Sequence, residues 1–157
     1  MNALNIVALL PMAYFAVLTI PLILIDYAEH RLPNKIVLPS IVLGIVVNIV
    51  LNVARQDYWN LLLALGLPLL VFIACIVANY FNLLGVGDAK LIAALLLAFG
   101  VYSPLFALLI VPISLGFGLL TFLVSIFTAK PLVSVPLGPW LMLTYWMLLT
   151  AQLIGGN

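Results

Sequence analysis

The sequence predicts an all-α, polytopic membrane protein with about six transmembrane helices. Of its 157 residues, 68% are hydrophobic and only 6% are charged, whereas an average globular domain has ~25% charged residues. The mean hydropathy of +1.42 indicates that lipid surrounds most of the surface. The apolar runs do not alternate with polar residues, so they predict helices rather than the strands of a barrel. We expect one membrane-embedded domain over residues 1–157.

Six apolar segments are separated by short polar breaks, and ~20 apolar residues are enough to cross ~30 Å of hydrocarbon. The fourth segment is short, since about a dozen residues reach only ~20 Å. We therefore expect its helix to begin at Asp88, with Asp88 as the N-cap. Gly85 and Gly87 would let the preceding loop fold tightly, at least one of them with a positive φ or a close backbone approach. The six segments are 4–25, 36–53, 61–81, 91–102, 105–127 and 137–154.

Basic residues lie mainly in alternate loops. Arg31 and Lys35 are in the first loop, Lys90 is at the third and Lys130 is in the fifth, whereas Arg55 is the only basic residue in an even loop. Cytoplasmic loops carry the Lys and Arg excess. The sequence thus predicts that the odd loops face the cytoplasm and that both termini face outward.

The composition also limits the partners and cofactors. A net charge of +1 provides no electrostatic footprint for nucleic acid. One cysteine and one histidine cannot form a multi-histidine site or a paired CxxC site. We expect no metal, no other cofactor and no nucleic-acid partner, and we expect the lipid bilayer as the surroundings. The composition does not determine the oligomeric state.

Two of the four acidic residues lie next to apolar helices. Asp26 ends the first apolar run and Asp88 precedes the fourth. Ionisable groups at such depth are candidates for function, and the predicted orientation places both on the cytoplasmic side. Two neighbouring carboxyls can share one proton, as an aspartyl protease requires. The residues alone leave open a structural role, with Asp88 as a helix cap and Asp26 as a boundary charge.

Three motifs resemble those of a known family. Residues 85–90 read GVGDAK, which looks like the GxGD signature of intramembrane aspartyl proteases in the GxGDxK form found in prepilin peptidases. Asp26 is followed seven residues later by Pro33, in a Leu-Pro-Asn turn similar to that family's first catalytic motif. Residues 135–139 are similar to its Pro-x-Gly-Pro element. Over nearly its whole length, the chain thus resembles the prepilin peptidase (type IV leader peptidase) family.

The resemblance implies that Asp26 and Asp88 are the catalytic residues. It implies a substrate prepilin with a basic leader and a hydrophobic N-terminal helix, cleaved at the cytoplasmic face of the cell inner membrane. The short chain resembles peptidases of tight-adherence (Flp-type) pili, without the CxxC zinc region that accompanies N-methylation in longer members. Five further residues are expected to support the loops or lie near the substrate: Gly85, Gly87, Lys90, Pro33 and Asn34.

Two alternatives remain open at this point. A non-enzymatic six-helix transporter or pilus-assembly subunit could use the two aspartates to handle protons or cations, although transport sites usually lie in mid-span. Lys90 could stabilise the ionised form of the aspartate pair or contact a substrate carbonyl. It could equally be an interface anchor that snorkels to water.

Overall fold

The computed structural model describes residues 3–29, 33–81, 84–127 and 137–155, and these ranges fold into helices with no strand. The all-α prediction is therefore confirmed. Each of the six predicted apolar segments coincides with helix, and the fifth divides into a single turn followed by a long helix. The helices are α1 (Ala3–Glu29), α2 (Asn34–Ala54), α3 (Tyr58–Tyr80), α4 (Val86–Gly100), α5 (Pro104–Ala107), α6 (Ile110–Phe127) and α7 (Gly138–Gly155).

Within the described ranges, four stretches are long and apolar enough to span a membrane. Three of them lie in α1, α2 and α3, and the fourth continues from α5 into α6. Their outer faces carry large apolar side chains, such as Val17 and Ile20, that the rest of the protein leaves uncovered. The protein is therefore a multi-pass membrane protein. The four stretches are Ile6–Tyr27, Asn34–Ala54, Tyr58–Tyr80 and Pro104–Val124.

The short helix α4 lies at the centre of the bundle. It contacts α1, α2, α3, α5, α6 and α7, and every residue from 91 to 100 is buried. Its 15 residues extend ~22 Å, which is less than the ~30 Å hydrocarbon thickness. Helix α4 is thus enclosed by protein rather than by lipid, and the other helices are arranged around it.

Hydrogen bonds between helices fix this arrangement, as polar side chains often do inside membranes. The Asn48 amide of α2 donates from Nδ2 to the Leu97 carbonyl of α4 at 2.8 Å. The Tyr14 hydroxyl of α1 donates to the Ile36 carbonyl of α2 at 2.9 Å. Two further bonds join α7 to α1, from Tyr145 Oη to the Met12 carbonyl and from Trp146 Nε1 to Thr19 Oγ1.

The start of α4 differs from the prediction. Gly85 is the N-cap, in an extended conformation with φ −74° and ψ 145°, so the prediction that Asp88 is the N-cap was wrong. Because the helix begins at Val86, Asp88 is its third residue, and its carboxylate accepts a hydrogen bond from the Gly85 backbone. An acidic side chain at this position commonly bonds back to the N-cap.

The glycines before Asp88 also behave differently from expectation. No glycine in the described ranges has a positive φ, so the first of the two expected forms, a positive φ at Gly85 or Gly87, does not occur. A close approach does occur, but to a side chain rather than to another backbone. A Cβ on Gly85 would lie 3.0 Å from Asp88 Oδ2. The missing side chain of Gly85 therefore gives room to the Asp88 carboxylate.

We predict that Gly44→Ala destabilises the protein. Gly44 lies where α2 packs on α4, and an added Cβ would lie 2.7 Å from the Leu97 Cβ. Overpacking of this kind lowers the free energy of unfolding by about 1–3 kcal/mol. Thermal unfolding of the purified protein in detergent should show a lower Tm than the wild type.

The matched control is Gly66→Ala in α3, where an added Cβ meets nothing within 4 Å. Alanine is favoured over glycine in a helix by up to about 1 kcal/mol, so this variant should keep or slightly raise the Tm. Similar Tm changes in both variants would contradict the packing described at Gly44.

Candidate active site

Asp26 lies in the last turn of α1 and is only 4% exposed. Its Oδ2 accepts a hydrogen bond from the Gly138 backbone N–H at 3.1 Å. Gly138 is the first residue of α7, and the free N–H groups at a helix N-terminus favour a nearby negative charge. Helix α7 thus stabilises negative charge on the Asp26 side chain where water is largely excluded.

Gly138 can approach Asp26 so closely because it has no side chain. A Cβ at this position would lie 2.5 Å from Oδ2 and 2.7 Å from Cγ of Asp26. Gly138 belongs to the Pro-x-Gly-Pro-like element of residues 135–139, for which no function was predicted. The glycine of that element was the sequence signal for this contact. Only the fold, however, shows that Gly138 faces Asp26. The preceding residues of the element, 135 and 136, lie outside the described residues.

Asp88 occupies the first turn of α4, outside the four spanning stretches, and is partly exposed. The pKa of its carboxyl is raised to about 6, first by burial and second by the negative charge of Asp26, while the Gly85 backbone hydrogen bond acts in the opposite direction. The two carboxyls therefore lie close enough to influence each other. Near neutral pH, Asp88 can exchange a proton.

The ends of three helices thus bring Asp26, Asp88 and Gly138 together. Asp26 is almost fully buried, whereas Asp88 is partly exposed and gives the pair access to solvent. Two carboxyls in which one is ionised and the other protonated can act as general base and general acid. We call Asp26 and Asp88 the acidic pair.

Lys90 contacts a different motif. Its Nζ donates a hydrogen bond to Asn34 Oδ1 at 3.0 Å on the exposed surface. Two residues along a helix correspond to a rotation of about 200°, so Lys90 projects from α4 on the side away from Asp88. This position favours a link between α2 and α4 over direct stabilisation of the acidic pair.

Pro33 and Asn34 of the Leu-Pro-Asn motif form the start of α2. Pro33 is the N-cap, with φ −70° and ψ 121°, and its carbonyl accepts from the backbone N–H groups of Ile36 and Val37. This places Asn34 at the first helical position, beside Lys90. Residues of all three motifs therefore meet at one end of the bundle, with Gly87 in the first turn of α4 between Gly85 and Asp88.

Asp57 does not belong to the acidic pair. It is exposed, and its Oδ1 accepts a hydrogen bond from the Asn60 backbone at 2.9 Å. Asp57 is thus the N-cap of α3, in the loop that follows α2. Among the described residues, no group of three or more His, Cys, Asp or Glu side chains could hold a metal ion.

Comparison with known proteins identifies the family of the chain. No curated protein and no solved structure matches the chain. The family model of the type IV leader peptidase family matches residues 13–151. The matched range covers most of the chain and includes the acidic pair, the Leu-Pro-Asn turn and Gly138. The protein therefore belongs to the type IV leader peptidase family, whose members are peptidases.

Proposed function

We propose that the protein is a membrane aspartyl endopeptidase that removes the leader peptide of Flp-type type IV prepilins at the cytoplasmic face of the cell inner membrane. The observation that carries the proposal is the acidic pair at one end of the bundle, in which the charge of Asp26 acts on Asp88. Family membership supports a leader-peptidase role in general. The aspartyl mechanism and the substrate are our proposals.

The environment of each carboxyl suggests its part in hydrolysis. Asp26, which faces the Gly138 N–H, is the ionised base that takes a proton from water. The water oxygen then bonds to the scissile carbonyl carbon, while Asp88 donates its proton to the carbonyl oxygen. When the tetrahedral intermediate collapses, the carbon–nitrogen bond breaks and the amine leaves with the proton that Asp26 had accepted, while the hydroxyl proton returns to Asp88.

The position of the pair fits a substrate with a basic leader and a hydrophobic helix. Asp26 is near the end of a spanning helix and Asp88 is near the start of α4, so cleavage would occur where the membrane meets water. Lys35 and Lys90 lie at this same end, which supports a cytoplasmic orientation by the positive-inside rule. Both termini would then face the opposite side of the membrane.

The transporter alternative has less support. Ion-coupled carriers usually place their sites near the membrane midplane. Among the described residues, the charged side chains lie in loops or within a few residues of a helix end. A peptidase acting at the interface needs its carboxyls at that level.

We predict that Asp26→Asn and Asp88→Asn each lower prepilin cleavage by about 100-fold or more, because acid–base catalysis of this size needs both carboxyls. Co-expression with a prepilin, with leader removal scored on gels, measures this effect. Asp57→Asn is the control, since asparagine also caps helices well and this residue lies outside the pair. Cleavage at the wild-type rate by the Asp88→Asn variant would refute the mechanism.

We predict that Gly138→Ala also prevents cleavage, because its Cβ would lie 2.5 Å from Asp26 Oδ2 and would displace that carboxylate. A displacement of ~1 Å at a catalytic group can cost ~100-fold in rate. Gly116→Ala in α6 serves as the control, since its Cβ would meet nothing within 4 Å. Equal activities of the two variants at matched expression would show that Gly138 does not position Asp26.

We predict that kcat/KM for cleavage falls as the pH rises through about 6. Below this pH Asp88 is mostly protonated, and above it the proton needed at the carbonyl oxygen is lost. A pH–rate profile of the purified enzyme with a prepilin substrate tests this expectation. A rate that stays constant from pH 5 to pH 8 would contradict the acid role of Asp88.

Thermal unfolding gives an independent check of the raised pKa of Asp88. Because the folded pKa lies above the ordinary value of 3.8, the contribution of Asp88 to stability is fully present below 3.8 and is lost as pH rises through about 6. The Tm of the wild type relative to that of Asp88→Asn should therefore fall over this range. A constant difference would contradict the raised pKa.

We predict that water-soluble thiol reagents added outside the cell label single cysteines near Asp57 and at both termini. The same reagents should reach cysteines in the first, third and fifth loops only after the membrane is opened. The reason is the excess of Lys and Arg in the odd loops. Labelling of the first loop from outside would overturn the orientation and the cytoplasmic site together.

A further inference from the structure

An apolar groove runs between α2 and α3, with α4 as its floor. It encloses a cavity of about 360 Å³. Leu38 and Ile45 line the groove from α2, Leu69 lines it from α3, and Ala93 lines it from α4. Leu38 and Leu69 are 48% and 59% exposed, so the groove opens sideways toward the lipid. Because its walls are apolar, the hydrocarbon of the membrane can enter it.

The groove has the length of one membrane leaflet. It extends from Leu38 to Ile45 along α2 and from Lys90 to Leu97 along α4, which is ~10 Å in each helix. Ile45 and Leu97 each lie ~16 Å from the first residue of their helix, or about half of the ~30 Å hydrocarbon thickness. A groove of this length fits the acyl chain of one lipid, whereas a partner helix that spans the membrane would need a longer contact.

A positive charge lies at one end of the groove. Among the described residues that line it, only Lys90 is charged, and Lys90 lies at the end where α2 and α4 begin. Its Nζ donates to Asn34 Oδ1 at 3.0 Å, and this neutral oxygen does not neutralise the ammonium charge. The Asp88 carboxylate projects from the other side of α4, two residues away. The groove thus joins an apolar channel to a cation at the membrane surface.

A second lysine lies at the same end of the groove. Lys35 and Asn34 precede Leu38 by three and four residues, and side chains at these spacings are neighbours on a helix surface. Since Asn34 contacts Lys90, the exposed Lys35 also lies near this end. Basic pockets between transmembrane helices at the membrane surface bind anionic lipid headgroups.

We propose that the groove is a binding site for one anionic phospholipid. Lys90 and Lys35 hold its phosphate, and one acyl chain lies in the groove between Leu38 and Leu69. The bound lipid links the beginning of α2 to the beginning of α4. Because the site is on the side of α4 away from Asp88, it is separate from the acidic pair and requires no peptidase activity.

Lipid titration tests the headgroup contact. Native mass spectrometry of the purified protein measures the dissociation constants of dioleoyl phosphatidylglycerol, which is anionic, and dioleoyl phosphatidylcholine, which has the same chains and no net charge. A lysine at a membrane surface contributes about fivefold to the binding of anionic lipid. We therefore expect Lys35→Gln and Lys90→Gln each to weaken phosphatidylglycerol binding about fivefold and to leave phosphatidylcholine binding unchanged.

Two further variants serve as controls for charge and position. Lys90→Arg keeps the positive charge and should bind phosphatidylglycerol like the wild type. Arg55→Gln removes a positive charge at the opposite end of α2 and should change the binding of neither lipid. Equal affinity of the wild type for the two lipids, or the same loss in Arg55→Gln as in Lys90→Gln, would overturn the proposal.

Two neighbouring leucines of α3 test the acyl-chain contact. Leu69 lines the groove, whereas Leu70 is similarly exposed, at 64%, but is not among the groove residues. Leu69→Trp would fill the groove and should weaken phosphatidylglycerol binding about tenfold, the size of effect that one misfitting apolar group has in a binding pocket. Leu70→Trp adds the same bulk outside the groove and should bind like the wild type. Equal affinities of the two variants would overturn the proposal.

The same spectra distinguish the other possible occupants. Inorganic phosphate at the concentration of the lipid should not displace it, because phosphate has no acyl chain to place in the groove. Displacement by phosphate would show a site for the free anion and would overturn the proposal. A wild-type dimer that Leu69→Trp separates into monomers would show that a second copy of the chain covers the groove, which would also overturn it.

Discussion

A carboxylate buried among apolar helices must find a partner, because an isolated charge in such surroundings is very costly. Asp26, at 4% exposed, meets this need through the backbone N–H of Gly138. A backbone donor can come so close only where the chain has no Cβ. This contact therefore holds the start of α7 against the end of α1. It also fixes the position of the Asp26 carboxylate relative to Asp88.

Helix α4 supplies the second carboxyl, that of Asp88. The packing of this helix against its neighbours determines where the carboxyl lies. Helix α4 contacts each of the other described helices. Packing, as at Gly44, and the Asn48 hydrogen bond to Leu97 therefore hold its axis in place. Since Asp88 is in the first turn, the same packing determines how far its carboxyl is removed from water. The pKa of this group follows from burial first and from Asp26 second.

Local sequence patterns were sufficient for the helices, because hydropathy and charge distribution act over one segment at a time. They also placed Asp26 and Asp88 at the same end of the bundle. They could not place the start of α4, which depends on the extended conformation of Gly85, or predict that Lys90 bonds to Asn34 across 56 positions of chain. Local patterns also could not predict the role of Gly138, because its contact with Asp26 forms only when helices distant in the sequence pack together.

The contact between Asp26 and Gly138 joins residues that are 112 positions apart in the chain. During synthesis, α1 is therefore made long before Gly138. Until α7 is in place, Asp26 has no Gly138 N–H beside it, and the geometry of the acidic pair is incomplete. The order of synthesis therefore makes the position of Asp26 one of the later features of the fold to be completed, after α7 has packed on α1.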